Sequence, residues 1–178
     1  MEPIRLQHEN IAIHPAAVMK PLMPNPQYRN VVVALDLGPG SEALLAAAAA
    51  VAPSARITAV HAYDVPHEGM LRRAGVPSPE IHRHRGDALA AAVERIDEMA
   101  SALPGGARGV VALVQRADPV RLVLDAARSL KADLVVLASR RRSVVERLLV
   151  GSVSRRIIAG APCDVLVPPL LPRTRAAS

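Results

Sequence analysis

Residues 132 to 168 read ADLVVLASRRRSVVERLLVGSVSRRIIAGAPCDVLVP, and this stretch decides the fold. The pattern predicts a strand, a polar loop, a helix and a second strand. The first strand, Leu134 to Leu137, is apolar throughout, as expected of a strand that is covered on both faces of its sheet. The loop from Ser139 to Ser143 carries three arginines, and Asp164 to Val167 is the closing strand.

The same alternation of strands and helices is predicted for the chain before this stretch. Runs of β-branched residues indicate strands, and apolar residues at three- and four-residue steps indicate helices. The predicted strands are Asn30–Asp36, Ala55–Ala62 and Arg108–Gln115, and the predicted helices are Glu42–Val51, Asp87–Leu103 and a third that starts at Pro119. Five strands alternating with four helices predict an α/β fold, a single doubly wound parallel sheet with helices on both faces.

Local signals refine the helix predictions. Ser41 is predicted to cap the first helix, and Asp118 is predicted to cap the third one, which has a proline in its first turn. Residues 64–85, which contain three prolines, are predicted to form a long polar connection. The predicted buried stripes are Leu89, Val93, Ile96, Ala100 and Leu103 on the second helix, and Val120, Val123, Leu124, Ala127 and Leu130 on the third.

Composition narrows the class of protein. The 178 residues are 51% apolar but only 1% aromatic, so the core must be built from alanine, valine, leucine and isoleucine. The longest apolar run, Ala43 to Ala52, is about half of what spans a bilayer. The N-terminus does not resemble a signal peptide. With Cys163 as the single cysteine, these features predict a soluble, cytoplasmic protein without a membrane partner.

The net charge of +6 comes almost entirely from arginine. Such a bias suits phosphate or nucleic-acid binding, because guanidinium donates a planar pair of hydrogen bonds. The alternative explanation is a GC-rich genome, which favours arginine codons without any role in binding. Tyr28 and Tyr63 are the only aromatic residues, so stacking platforms for single-stranded bases are lacking. Nucleic acid is therefore not expected as a partner.

The stretch from Ala132 to Pro168 resembles the C-terminal part of the universal stress protein family. Nucleotide-binding members of that family carry G-x2-G-x9-G-[ST] here. The resemblance implies the strand order 3-2-1-4-5 and a ligand site at the carboxyl ends of strands 1 and 4, where the order reverses. It covers roughly residues 28–169, so the chain divides into a proline-rich arm (1–28), the α/β domain (29–170) and a C-terminal tail (171–178).

Six positions correspond to the family's nucleotide site. The resemblance implies that Asp36 is the acidic contact to adenosine and that Ala62 contacts adenine through its backbone. It places Ala138 and Arg141 near ribose and phosphates. It implies that Gly151 and its hydroxyl neighbour Ser152 hold phosphate. Backbone N–H groups at a helix start and in a glycine loop can cradle an anion, to which a serine hydroxyl adds one donor.

Arg141 is the serious departure, because a long side chain replaces a glycine that lets the backbone approach phosphate. Two outcomes are open. Arg141 either holds phosphate through its guanidinium, assisted by Arg140 and Arg142, or it fills the site and excludes nucleotide. The plain alternative is that all three arginines form a solvated turn. Other residues of the site also have a structural alternative to ligand binding. For Gly151 and Ser152 it is helix geometry and capping, and for Asp36 it is a cap or a turn hydrogen bond.

Other candidate sites have weaker patterns. Gly38 to Ala43 fits the dinucleotide motif G-x-G-x-x-[GA], and Asp64 lies near the position of a ribose-binding acid. His82 to Arg85 alternates histidine and arginine, but it lacks the acid or thiolate partners of a metal site. Cys163 is expected to be a buried, unreactive thiol. No spacing indicates a catalytic triad or a carboxylate pair, so no enzyme activity beyond slow ATP hydrolysis is expected.

Two functional hypotheses follow. The favoured one is a stress-response regulator that acts as a nucleotide-free interaction module with protein partners still unknown. The alternative is an ATP-binding universal stress protein in which Arg141 compensates for the lost glycine. In both cases the resemblance implies a homodimer, and the apolar edge strand Asp164–Val167 is the expected contact, since an uncovered edge favours pairing.

Overall fold

The computed structural model of the chain describes residues 28–63, 70, 73–104, 106, 109–138 and 151–168. In these residues five strands alternate with four main helices. The elements are β1 (Asn30–Leu35), α1 (Ser41–Val51), β2 (Arg56–Ala62), α2 (Ser78–Ser101), β3 (Val110–Gln115), α3 (Pro119–Ser129), β4 (Leu134–Leu137), α4 (Ser152–Gly160) and β5 (Asp164–Leu166). The predicted α/β fold class is confirmed.

All five strands form one parallel sheet in the order β3-β2-β1-β4-β5, as predicted. Leu35 at the end of β1 pairs with His61 of β2, and Ala34 of β1 pairs with Leu137 at the end of β4. The carboxyl ends of the three central strands therefore lie side by side. The strand order reverses between β1 and β4, which is where sheets of this kind bind ligands.

The core has two halves, one on each face of the sheet. Because successive strand side chains point to opposite faces, Val31 and Val33 of β1 join the half under α1 and α2, while Val32 joins the half under α3 and α4. The absence of large aromatic residues suits this arrangement, since small aliphatic side chains let helices pack closely on the sheet.

The helix α2 begins at Ser78, so the predicted start at Asp87 is wrong. His82 to Arg85 lie in its first turns and not in a connecting loop. Pro79 is tolerated because its missing N–H would have no partner in the first turn of a helix. A proline in the sequence thus marks the beginning of this helix and does not extend the polar connection.

The predicted buried stripe of the second helix is confirmed at Ile96, Ala100 and Leu103, but it is wrong at Leu89 and Val93. Leu89 is 37% exposed and Val93 is only half-buried. The buried residues of the helix are Ile81, Ala92, Ile96, Met99 and Ala100. In α3 the prediction holds for Val120, Val123 and Ala127, but Leu124 is only half-buried and Leu130 is exposed. Leu122 and Ala126 are buried in addition. The predicted cap of α3 is confirmed, since the Asp118 carboxylate accepts a hydrogen bond from the Arg121 N–H at 2.9 Å.

Two carboxylates hold the amino end of the sheet. Asp133, just before β4, accepts hydrogen bonds from the N–H groups of Arg29 and Asn30 at 2.8 and 2.9 Å. Tyr28 donates its hydroxyl to Asp164 at the start of β5, at 3.0 Å. The beginning of β1 is therefore tied to both strands that follow it on this side of the sheet.

Several predictions lie outside the described residues: the arm up to residue 27, the arginine-rich loop with Arg140, Arg141 and Arg142, and the tail from 171 to 178. Within the described ranges, none of the helices has the length and apolar character needed to cross a bilayer.

Candidate functional site

The loop after β1 folds around the carboxylate of Asp36. This carboxylate accepts a hydrogen bond from the Gly38 N–H at 3.0 Å and one from the Ser41 hydroxyl at 3.3 Å, both at Oδ1. A β-carbon on Gly38 would lie 3.2 Å from the same oxygen, so glycine leaves room for the carboxylate to bend back. The Asp36 side chain remains exposed at the carboxyl end of the sheet.

Ser41 is not the cap of α1, contrary to the prediction. The N-cap is Gly40, whose φ of 106° lies in the left-handed region that glycine adopts without strain. Ser41 is the first helical residue, and its side chain is buried where the hydroxyl reaches Asp36. The predicted capping hydroxyl is therefore part of the site's own loop.

His61 and Ala62 end β2 beside this loop. The Nδ1 atom of His61 lies 2.9 Å from the carbonyl oxygen of Leu35. Since a carbonyl can only accept, Nδ1 must carry the proton in this contact. Ala62 is half-buried and packs on the α3 and α4 side of the sheet. These contacts join the ends of β1 and β2, so Asp36 and Ala62 lie together at the carboxyl end of the sheet.

The start of α4 lies next to the end of β4. The hydroxyl of Ser154 donates to the carbonyl oxygen of Ala138 in a long hydrogen bond of 3.4 Å. Gly151 is the N-cap of α4 and makes no side-chain capping bond, and the first turn has no acidic residue. Ser152 is exposed as the first residue of the helix. Backbone N–H groups and a hydroxyl are thus available for an anion at this point.

The structure brings most of the predicted site residues together at the carboxyl end of the sheet. Asp36, Ala62 and Ala138 end or follow the three adjacent strands β1, β2 and β4. The bond of Ser154 to Ala138 brings the start of α4, with Gly151 and Ser152, to the same place. Arg141 lies outside the described residues. Ser154 joins this candidate site through its contact with Ala138, and sequence spacing does not single it out; its signal in the sequence is that it follows Ser152 by two positions at a helix start.

The dinucleotide interpretation of the β1–α1 loop is weakened by its hydrogen bonds. The N–H of Gly38 goes to Asp36, and the N–H of Ser41 goes to the carbonyl oxygen of Gly38 at 3.1 Å. These N–H groups are used within the loop and do not point to a pyrophosphate. The second part of that motif, Asp64, lies outside the described residues.

Cys163 lies just before β5 and is half-buried. Burial raises the pKa of its thiol, and the carboxylates of Asp164 and Asp133 raise it further. The thiol therefore stays protonated near neutral pH and is a weak nucleophile. His82 to Arg85 are helical, and among the residues that the structure describes no three His, Cys, Asp or Glu side chains gather as a metal site would require.

Comparison with known proteins places this fold in a family. Residues 27–169 match the family model described as the universal stress protein family. A universal stress protein of Thermus aquaticus is 35% identical over 148 residues, which cover 79% of this chain and 98% of that protein. A putative universal stress protein of Staphylococcus epidermidis is 28% identical over 143 residues, covering 79% of this chain and 83% of that protein.

Solved structures show the same fold. The universal stress protein UspA from Lactobacillus plantarum aligns with a TM-score of 0.56 and 24% identity, over 80% of this chain and 99% of that one. A universal stress protein from Archaeoglobus fulgidus aligns with a TM-score of 0.50 and 23% identity, over 79% and 98%. The family match, the Thermus relative and the strand order agree, and the chain belongs to the universal stress protein family.

Proposed function

We propose that this protein is a stress-response regulator that forms a homodimer through its β5 edge and acts by binding other proteins, without needing a bound nucleotide. The observation that carries this proposal is the thin covering of the sheet at β5. Only Ile157 of the nine residues of α4 is buried, whereas α3 buries five. An element that buries so little apolar surface in one chain gains stability when a second chain covers it.

The edge itself has the character of a pairing surface. β5 is the last strand in the sheet order, and Val165, Leu166 and Val167 are only half-buried. On α4, Val153 is 41% exposed and Ile158 is 42% exposed. Apolar side chains beside an unpaired strand favour association with another chain. We therefore expect two copies to meet here by a two-fold axis.

Two residues that lie where the strand order reverses, between β1 and β4, support a nucleotide-free state. Ala138 stands where the nucleotide signature of the family has its first glycine, and its methyl group packs with the core under α1 and α2. Asp36, the acidic residue implied for the adenosine part of the ligand, binds its own loop through Gly38 and Ser41. Both side chains have roles in the fold that need no ligand.

The dimer proposal predicts that Val153→Glu and Ile158→Glu each weaken self-association at least tenfold, because a buried unpaired charge opposes the contact. The measurement is sedimentation velocity over a concentration series. Val111→Glu is the matched control, since Val111 is 55% exposed on β3, at the opposite edge of the sheet. Equal dimerisation of all three variants, or a wild-type protein that stays monomeric, would exclude the β5 edge as the dimer contact.

ATP binding is the second candidate, and the start of α4 favours it. Among the residues that the structure describes, no side chain caps its N-terminal N–H groups, and this helix start lies against the end of β4 through Ser154 and Ala138. The positive end of the helix dipole favours phosphate there. Asp36, the residue that the family resemblance implies for the adenosine part of the ligand, is exposed at the end of the neighbouring strand β1.

Calorimetric titration of nucleotide-stripped protein with ATP and Mg²⁺ separates the two candidates. Under the main proposal the wild-type protein shows no saturable heat, and Ala138→Gly combined with Arg141→Gly raises the affinity at least tenfold by restoring the glycine signature. Micromolar binding by the wild-type protein that is lost in Asp36→Ala would instead establish the second candidate. The fold of each variant is checked by its thermal unfolding midpoint.

A further inference from the structure

We propose that the part of the N-terminal arm next to the domain, residues 10–27, binds in a groove on the outer side of α2 of its own chain. The proposal goes beyond the β5 dimer and stands whether or not that dimer forms. Its basis is the chemistry of the groove, the sequence of the arm and the place where the arm joins the domain.

The groove on α2 combines an apolar wall with carboxylates. Leu89 is 37% exposed and Val93 is only half-buried in this wall, although both side chains are apolar. The groove is open to solvent and has a volume of about 820 Å³. Among the described residues that line it none is basic, whereas three are acidic, namely Glu94, Asp97 and Glu98.

Two of these carboxylates lack a cation. Glu98 binds Arg95 at 2.9 Å, and the same arginine binds Glu42 of α1 at 2.6 Å, which holds its guanidinium on the α1 side of the helix. Glu94 and Asp97 are exposed, and no cation in the described part of the chain pairs with them. The groove therefore suits an occupant that is apolar and positively charged.

Residues 10–27 have this composition. They contain no Asp or Glu, and their charged side chain is Lys20. Four prolines should keep the backbone extended, so that little conformational entropy is lost when it binds in a groove. The segment also carries six large apolar side chains, which are Ile11, Ile13, Val18, Met19, Leu22 and Met23.

The arm joins the domain at the end of the sheet to which α2 returns. The starts of β1, β2 and β3 lie together there, because Arg56 donates its N–H to the carbonyl oxygen of Arg29, and Ile57 donates its own to that of Gly109, both at 2.8 Å. Tyr28 packs against the half of the core under α1 and α2, and Leu103, just after α2, is buried in the same half. The root of the arm and the acidic end of the groove thus share one end and one face of the sheet.

The arm is long enough to reach the groove. Neighbouring strands are about 4.8 Å apart and a helix is about 10 Å across, so the outer side of α2 above β3 is within about 20 Å of β1. The eight steps from Tyr28 back to Lys20 span about 25 Å in an extended, proline-rich chain. Lys20 can therefore meet Asp97 and Glu94, which precede the end of α2 by about one and two turns. A tethered segment has an effective concentration in the millimolar range, so a weak contact is sufficient.

Charge selects this groove over the β5 edge. That edge also exposes apolar side chains, and the hydroxyl of Tyr28 reaches Asp164 there. However, Arg155 and Arg156 are exposed on α4, which contains no acidic residue, so a cationic segment is repelled from its surface.

Charge also selects the arm over a second copy of α2. A second α2 would bring another Glu94 and another Asp97 to the groove, and like charges brought together oppose association. The arm supplies the cation that both carboxylates lack. An arm bound here covers an apolar face that would otherwise be open to other proteins.

Carbodiimide coupling of the full-length protein tests this contact, because it joins a lysine directly to a carboxylate that touches it. The chain has two lysines, Lys20 and Lys131. Peptide mapping by mass spectrometry at low ionic strength should show Lys20 joined to Glu94 or Asp97. Lys131 follows α3 on the other face of the sheet and should not be joined to α2. The yield should fall at high salt, which screens exposed charge pairs.

Leu89→Ser should lower the yield of this cross-link at least fivefold, because it removes apolar contact without changing either carboxylate. Val111→Ser is the matched control, since Val111 is 55% exposed on β3 and lies outside the groove. Circular dichroism spectra that match the wild-type spectrum verify that both variants are folded.

A mixture of nitrogen-14 and nitrogen-15 protein identifies the chain that supplies the arm. The expected cross-link joins peptides of the same isotope only. The proposal is overturned if cross-links join the two isotopes as often as one, because the arm of a second copy is then the occupant. It is also overturned if Lys20 is not joined to α2, if it is joined equally to Asp118 or Asp125 of the α3 side, or if Leu89→Ser leaves the yield unchanged.

Discussion

Replacing Ile96 by alanine should lower the free energy of unfolding by about 2–5 kcal/mol. Ile96 is fully buried on the inner face of α2, in the half of the core that α1 and α2 share with the sheet. The substitution removes apolar contacts and leaves a cavity, because the strands beneath cannot move in to fill it. Chemical denaturation followed by circular dichroism measures the loss.

Leu89→Ala is the matched control on the same helix, and it should cost at least about 1 kcal/mol less than Ile96→Ala, because Leu89 is 37% exposed and its truncation leaves no enclosed cavity. The pair also decides how α2 is rotated. The periodicity of the sequence predicts that Leu89 and Ile96 are buried alike, whereas the structure buries only Ile96. Equal losses for the two variants would contradict this rotation of the helix.

Asp133→Ala should destabilise the fold by about 1–2 kcal/mol at neutral pH, since it removes two hydrogen bonds to a charged acceptor that is partly exposed. The N–H groups of Asn30 and Arg29 hold the pKa of the Asp133 carboxyl below its ordinary value. The folded state thus binds this proton less readily than the unfolded chain. The carboxylate contributes its full stability above the unfolded pKa of about 3.9 and loses it as the pH falls through the folded value.

The free energy of unfolding should therefore differ between the wild-type protein and Asp133→Asn at neutral pH, and the difference should shrink when the pH is lowered below about 4. Asp125→Asn is the control, because the pairs that the described residues form with Asp125, those with Arg121 and Arg128, are exposed side-chain pairs. A difference for Asp133→Asn that stays constant between neutral and acidic pH would show that its charge does not hold the start of β1.

Local sequence predicted the elements well where one signal dominated. The apolar run Leu134–Leu137 is a fully buried strand, and Asp118 followed by proline begins α3 at the predicted residue. Both signals are local: a buried parallel strand needs apolar side chains on both faces, and a helix start needs an acceptor for its first N–H groups. Neighbours elsewhere in the fold do not change these requirements.

The predictions of helix starts were wrong where one residue type is compatible with two structural roles. Pro77 and Pro79 were part of a predicted connection, yet Pro77 is the N-cap of α2 and Pro79 lies in its first turn. Ser41 has the chemistry of a cap, yet Gly40 takes that role because its positive φ suits the turn, which leaves the hydroxyl for Asp36. Proline and serine are each compatible with both sides of a helix boundary, so packing decides between them.

The candidate site was likewise predictable from sequence only in part. The resemblance of residues 132–168 indicated the family, and Gly151 and Ser152 within it predict the helix start at which phosphate would bind. The contact of Ser154 with Ala138 and the closure of the β1–α1 loop on Asp36 were beyond sequence spacing, because the partners of the first contact are 16 residues apart and both depend on how chain segments meet.

The sequence by itself determined the succession of strands and helices, which follows from periodicity and local signals, and the aliphatic core, which follows from composition. The family was indicated by the resemblance of residues 132–168 to its known members. Only the tertiary structure decided which face of α2 is buried, where the site's hydrogen bonds go and which surfaces stay exposed. Those properties depend on contacts between residues far apart in the chain. The rotation of α2, which leaves Leu89 at the surface and buries Met99, brings Ile96, Met99 and Ala100 into one half of the core with residues of the sheet and of α1.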